Sequence, residues 1–291
     1  EDLTIELVEH FLGDVLDASG RLAISGTGSM NIRLNRMLKA HPRVKNLIVH
    51  PACGDPGTAI GAAAYVVRKE GKKLQPMKNV FLGPEYTTEQ CIEACKLSRE
   101  RPVWEVLEDP KERAVELLAN GEIIAWFQGR MEFGPRSLGN RSILASPDEA
   151  EVSEKLNHQV KFREKWRPYS ASVLDTVADE FVDGGCKDKY MCISQDVSEE
   201  WREKYPAISH IDGTCRAQIV DAESSPVFHQ LLTKFKDKTG HGMLINATLN
   251  RPGESLVCSP DDAVAMFLGT DLNYLILGNI LVTRREEPES W

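Results

Sequence analysis

Long apolar runs are missing from this sequence. The longest apolar stretches, residues 274–277 and 280–282, are broken by Gly278 and Asn279 and fall far short of the ~20 residues a membrane-spanning helix requires. No membrane span is expected. No basic, apolar, small-residue leader opens the chain, so the expected compartment is cytoplasmic. Massed positive charge is also missing: 44 acidic residues outweigh 35 Lys and Arg, for a formal charge of -9. Broad basic faces for nucleic acid or an anionic membrane need clustered Lys and Arg, so any positive site here has to be local. The seven cysteines are odd in number and show no paired CxxC, which argues against a disulfide scaffold or zinc ribbon and predicts reduced thiols. Cys91 and Cys95 stand one helical turn apart, a spacing that reads as packed or solvated thiols rather than a metal site. Neither His10, His41 nor His50 sits in an HxxxH arrangement, and no short repeat or low-complexity tract is visible.

What is present is a strong α/β pattern. At 291 residues and 42% hydrophobic content, the chain can bury two ordinary cores. Residues 3–16 place Leu7, Val8, Phe11, Leu12 and Val15 at helical intervals, predicting a helix with one buried face. A strand over 21–25 then runs into Gly26-Thr27-Gly28-Ser29, and a helical period follows over 31–38. The unit repeats with a strand over 46–49, a turn through Asp55-Pro56-Gly57 and a helix over 58–68. Asp55 is placed to cap that helix and Pro56 to open its first turn. The Lys-, Pro- and Gly-rich residues 72–84 mark a boundary. The expected organisation is a first α/β segment over 1–75, a linker or crossover over 76–104 and a second α/β domain over 105–291. Further helices are predicted at 87–97, 110–119, 227–236 and 260–268, and strands at 122–127, 170–174, 217–220, 243–246 and 274–282. The charged, glycine-interrupted residues 175–205 read as an insertion or mobile flap.

The densest chemistry lies in FQGRMEFGPRSLGNRSIL, residues 127–144, which sets Arg130, Arg136 and Arg141 in a glycine-bearing turn after a strand. Glycine lets the backbone approach a ligand, and planar guanidinium groups match phosphate or carboxylate oxygens. Taken alone, such arginines are as readily surface ion pairs. Their context adds NHQVKFREKWRP (157–168), with cations interleaved among aromatics, and HIDGTCR (210–216) and INATLNRPGE (245–254), polar turns at strand ends. Strand ends are where α/β folds bind ligands. A small polyanion is the natural ligand; the acidic balance weighs against a stacking platform for single-stranded nucleic acid.

In this order and spacing the four segments resemble the carboxyl-terminal domain of O-carbamoyltransferases of the NodU/CmcH family. The resemblance implies a YrdC-like mixed α/β domain that makes carbamoyladenylate from carbamoyl phosphate and ATP, with Mg2+ on the triphosphate and release of phosphate and pyrophosphate. Carried over by motif position, it implies that Arg136, Lys161, Arg167 and Arg216 bind phosphate groups and carbamate as the catalytic cations. Asn246 and Thr248 would contact nucleotide or carbamoyl oxygens. Residues 4–69 more weakly resemble the end of the family's amino-terminal domain, a partial actin-like ATPase (ASKHA) α/β segment. There the resemblance puts Gly26 and Gly28 in a phosphate or adenylate loop. It makes Asp55 a ligand of a divalent metal, iron in that family, which polarises the adenylate for attack by an acceptor hydroxyl. The family's histidine ligands lie upstream. Thr27, Ala247, Leu249 and Pro252 depart from the residues usual at their positions.

The implied partners are carbamoyl phosphate and a small-molecule hydroxyl acceptor, which could be an antibiotic, a sugar or a lipo-oligosaccharide. Neither nucleic acid nor membrane is expected as a partner, and a homo-oligomer stays open. Two other readings stay open as well: a nucleotide or carbamoyl-phosphate binding module without turnover, and a threonylcarbamoyladenylate synthase, which shares the YrdC-like fold.

Overall fold

The computed structural model describes residues 1–149, 151–182 and 187–284. Helix α1 (Asp2–Ser19) stops where Gly20 turns left-handed at φ 63 and returns its N–H to the Leu16 carbonyl, the usual glycine stop. Strand β1 (Arg21–Ile24) leads through a tight 3-10 turn into α2 (Ile32–Ala40), whose first turn is capped by the Asn31 side chain accepting from the N–H groups of Arg33 and Leu34. Strand β2 (Asn46–Val49) lies parallel to β1, with Arg21 beside Asn46. A small core of Leu16, Leu22, Leu34, Leu38 and Val44 holds these elements together. Helix α3 (Gly57–Lys69) follows and buries no side chain. Asp55 does not cap it: its carbonyl, not its carboxylate, accepts from the Thr58 hydroxyl at 2.6 Å.

The rest of the chain is built on one mixed sheet of eight strands. These are β3 (Val103–Val106), β4 (Ile124–Phe127), β5 (Arg141–Ala145), β6 (Ser170–Leu174), β9 (Ala217–Val220), β10 (Met243–Thr248), β11 (Tyr274–Leu277) and β12 (Ile280–Thr283). Their order is β3-β12-β11-β4-β5-β10-β6-β9, while β7 (Gln195–Asp196) and β8 (Thr214–Cys215) form a separate ribbon. Strands β4, β5, β6 and β9 are buried along their whole length, as in a sheet covered on both faces. Helix α4 (Thr88–Leu97) packs with α10 (Pro260–Leu268), and α5 (Pro110–Ala119) with α9 (Pro226–Thr239). The mixed α/β class read from the sequence is the class observed.

Three segments differ from expectation. Much of the stretch read as a crossover, residues 76–104, belongs to the main core: α4 buries Cys91, Ala94 and Cys95 there, and β3 pairs with β12 at the sheet edge. An edge strand with a mostly exposed pattern carries little hydrophobic signal. Residues 274–282 form two antiparallel strands, because Gly278 at φ 58 supplies the left-handed step that a two-residue hairpin needs. The described residues within 175–205 are not a loose flap: Phe181, Val182, Val197 and Tyr205 join the main core, and Trp201 packs between the rings of Phe181 and Tyr205. Residues 183–186 of that stretch lie outside the described residues. Many of the charges that made it look mobile sit on its outer side, as on α8 (Glu199–Lys204), while the enclosed Asp188 carboxylate accepts from the N–H groups of Tyr190, Cys192 and Ile193.

The two parts touch through α2. Asn35, fully buried, donates to the carbonyls of Ser29 and Cys192, both at 2.7 Å, while the Ser194 N–H donates to the Ile32 carbonyl.

Candidate anion-binding site

Sheet register alone gathers one end of the site. β10 runs antiparallel to β6 with Asn246 opposite Ser170, and β6 runs parallel to β9 with Ala171 opposite Ala217. The end of β10, the start of β6 and Arg216, just ahead of β9, therefore meet. The β4–β5 loop brings Arg136, and the segment after α6 (Val152–Gln159) brings Lys161 and Arg163. With Asn246 and Thr248 these residues line a cavity of about 120 Å³.

Four cations and no carboxylate line this cavity. Arg216 donates from Nε to the Ser170 hydroxyl at 2.7 Å; burial, and then the neighbouring Arg136, pull its pKa down to about 10. Burial also lowers that of Arg136. The Lys161 ammonium donates to the Thr248 carbonyl and, at 2.9 and 2.8 Å, to the backbone and side-chain oxygens of Asn250. Burial, then Arg163, bring its pKa to about 7. Arg163 lies over the Tyr169 ring at 4.3 Å and donates to the Asn157 side chain at 2.6 Å. None of the four makes an ion pair with a carboxylate among the described residues. Buried like charges without a counter-ion are costly, and a multiply charged anion would supply one.

The Lys161 shift sets a pH dependence. Its folded pKa of about 7 lies below the ~10.4 of an unfolded lysine, so between these values the unfolded chain binds more protons. Stability contributed by this site should therefore rise with pH across that window and stay level below it. Saturating phosphate should hold Lys161 protonated and flatten the rise. Melting temperatures at about pH 7 and about pH 9, with and without phosphate, check both statements.

The three arginines of the FQGRMEFGPRSLGNRSIL segment part company. Arg130 donates to the carbonyls of Phe81 and Leu82 and ties down the chain before α4. Arg141 is fully buried and spends its guanidinium on backbone carbonyls. Only Arg136 reaches the cavity. Glu132, 3% exposed, shapes the loop between them by accepting at one oxygen from the N–H groups of Leu138, Asn140 and Arg141 at 2.7, 2.8 and 3.1 Å.

Of the residues singled out from the sequence, Arg136, Lys161, Arg216, Asn246 and Thr248 come together. The Asn246 amide is committed within the protein, donating to Ser172 at 2.9 Å and accepting from Ser137 at 2.7 Å. Arg167 does not line the cavity; it is exposed and faces Glu164 at 3.7 Å. Arg163 stands there in its stead. Phe162 between Lys161 and Arg163 turns left-handed at φ 42, so the pair is brought together by the turn after α6, and no local pattern marks Arg163 over Arg167. Gly26 and Gly28 lie outside the cavity, beside a narrow crevice that shares Arg136 and Met191 with it. An added Cβ would meet nothing at either glycine, although Gly26, at φ 100, holds a backbone angle that favours glycine. Asp55 is exposed, and among the described residues no three His, Cys, Asp or Glu side chains gather as a metal site requires. These residues by themselves do not make the metal centre that the resemblance implied. Cys91 and Cys95 are free, buried thiols whose pKa values burial raises to about 11 and about 12.

Residues 115–284 match the family described as carbamoyltransferase C-terminus, and residues 1–64 match carbamoyltransferase N-terminus. The chain belongs to the carbamoyltransferase family. Nodulation protein NolO of Bradyrhizobium diazoefficiens is 36% identical over 292 residues, covering 96% of this chain and 52% of that protein. Nodulation protein U of Azorhizobium caulinodans is 34% identical over 277 residues, covering 92% of this chain and 46% of that protein. The chain spans about half the length of the curated relatives it matches. Among solved structures, full-length HypF in its phosphate- and nucleotide-bound form overlaps slightly, with a TM-score of 0.41, 11% identity and coverage of 60% of this chain and 26% of that one. All four cavity cations of this carbamoyltransferase chain fall in the carboxyl-terminal match, and Gly26, Gly28 and Asp55 fall in the amino-terminal one. No helix among its described residues is long and apolar enough to cross a membrane.

Proposed function

We propose that this carbamoyltransferase chain activates a carbamoyl group as its adenylate. The observation that supports the reading is a cavity lined by four cations and no carboxylate in a chain of net charge -9. Carbamoyl phosphate loses its phosphate to water, which leaves carbamate. A carbamate oxygen then attacks the α-phosphorus of ATP, supplied as its magnesium complex; an O–P bond forms, the α–β bridge breaks and pyrophosphate leaves with the electron pair. Negative charge gathers on phosphoryl oxygens in that step, and cations already in place stabilise it without reorganisation. Arg136, Lys161, Arg163 and Arg216 fill that role, and the Ser170 hydroxyl orients Arg216. The adenylate then passes its carbamoyl group to an acceptor hydroxyl, with AMP as leaving group.

The test is pyrophosphate release by the purified chain. Release from MgATP that depends on carbamoyl phosphate is the expected result. ATP binding without release would instead favour a binding module, and release that depends on threonine and bicarbonate would favour threonylcarbamoyladenylate synthesis. Either outcome overturns the proposal.

A further inference from the structure

We propose that Asn250 is a positioning residue that holds the Lys161 ammonium at its place in the anion cavity; this rests on the anion-binding reading above. Asn250 does not line the cavity itself. It contributes two of the acceptors around Lys161, its backbone carbonyl at 2.9 Å and its side-chain oxygen at 2.8 Å. The same side-chain oxygen accepts from the Thr248 hydroxyl at 2.7 Å, and the amide nitrogen donates to the Glu254 carbonyl at 2.8 Å. One half-buried asparagine thus ties a cavity cation, a cavity hydroxyl and the turn after β10 into one arrangement.

A neutral acceptor is what this position calls for. Lysine is a point charge on a flexible stem, and its place is set by whatever accepts its three protons. A carboxylate would fix the ammonium equally well but would cancel its field toward a ligand. The amide oxygen fixes it and leaves the charge uncompensated. The charged and titratable groups that share the cavity with Lys161 are Arg163 on its own segment, Arg136 from the β4–β5 loop, Arg216 ahead of β9 and Tyr169 ahead of β6. Lys161 is the one among them brought to about 7, so its proton is the one that an anion draws in near neutrality.

Sulfate is a suitable probe, because it keeps one protonation state over the range used. Calorimetric titration of the chain with sulfate, from about pH 6 to about pH 9, should show affinity falling above about pH 7 by at most tenfold per unit, the limit for one linked proton. Asn250→Ala should weaken sulfate binding by about tenfold, the effect of losing one hydrogen bond to a charged group. Asn250→Asp keeps the shape and the acceptor and gives up the amide donor to the Glu254 carbonyl. It should also weaken binding by tenfold or more, and should flatten the pH profile because the carboxylate holds Lys161 charged throughout. In Asn250→Ala the fall in affinity should also move to lower pH, because the ammonium loses an acceptor; a purely structural role would leave that midpoint unmoved. Native affinity and a native pH profile in Asn250→Asp overturn the proposal, and this isosteric variant decides the matter should Asn250→Ala fail to fold. Lys161→Ala separates the two levels. If it binds sulfate as tightly as the native chain, the anion-cavity reading fails; if it loses sulfate while both Asn250 variants keep it, only the role of Asn250 fails.

Discussion

Arg216→Ala is expected to lower carbamoyl-phosphate-dependent pyrophosphate release by about 10²–10³-fold, the usual cost of removing one preplaced charge stabiliser, while leaving the melting temperature unchanged or raised. Arg216 has one hydroxyl partner, Ser170, and no carboxylate, and Arg136 presses on it as a like charge. Removing it relieves repulsion in a buried place, so the folded chain gains where the reaction loses. Sites built for binding are commonly held at the expense of stability. Arg216→Lys should recover little, because an ammonium cannot reproduce the planar fork that bonds Ser170 while facing an oxyanion. Steady-state pyrophosphate release beside thermal melts, for both variants, checks the pair of effects. A variant that melts much earlier and retains its turnover would place Arg216 in the scaffold and not in the chemistry.

Arg141→Ala is expected to do the reverse, costing at least about 3 kcal/mol of folding stability. Arg141 is fully buried, with its guanidinium 3.5 Å from the centre of the Phe127 ring. It donates to the carbonyls of Gln128 at 2.6 Å, Asn140 at 3.1 Å, and Gly129 and Pro84 at 3.2 Å. Burial lowers its pKa only to about 10, so it remains charged at neutrality. Truncation takes the side-chain donor from the Gln128 and Gly129 carbonyls, leaves those of Asn140 and Pro84 to the Gln128 and Met131 N–H groups, and opens a cavity beside Phe127. Arg141→Lys should rescue only part of the loss, since one ammonium cannot reach the spread of carbonyls that the two terminal guanidinium nitrogens serve. Urea unfolding at equilibrium measures the difference. The remaining turnover per folded molecule should fall only as far as the β4–β5 loop that carries Arg136 loosens.

Helices with strong periods and stop signals were legible to the residue: α5 with Pro110 in its first turn, and α10 behind its Ser259–Asp262 capping box. Strand β5 was not, because it opens on Arg141 and Ser142, polar residues that satisfy their bonds only in the folded chain. Helix α6 was missed because its polar residues outnumber its apolar ones. Glu132 and Asn250 passed as ordinary polar residues, since nothing local tells that one will collect three backbone N–H groups and the other a lysine. Arg163 and Arg167 were equivalent on paper; the turn after α6 sends one over Tyr169 and leaves the other beside Glu164.

By itself the sequence determined the α/β class, most element positions and the four segments from which a local cationic site is built, because period, glycine and charge are properties of neighbours along the chain. Tertiary structure alone decided which cations face the cavity and which hold the scaffold. Arg130, Arg136 and Arg141 carry the same group within one motif, and they differ only in what long-range register places opposite each: exposed carbonyls before α4, an uncompensated cluster of positive charge, or a buried ring and its surrounding carbonyls.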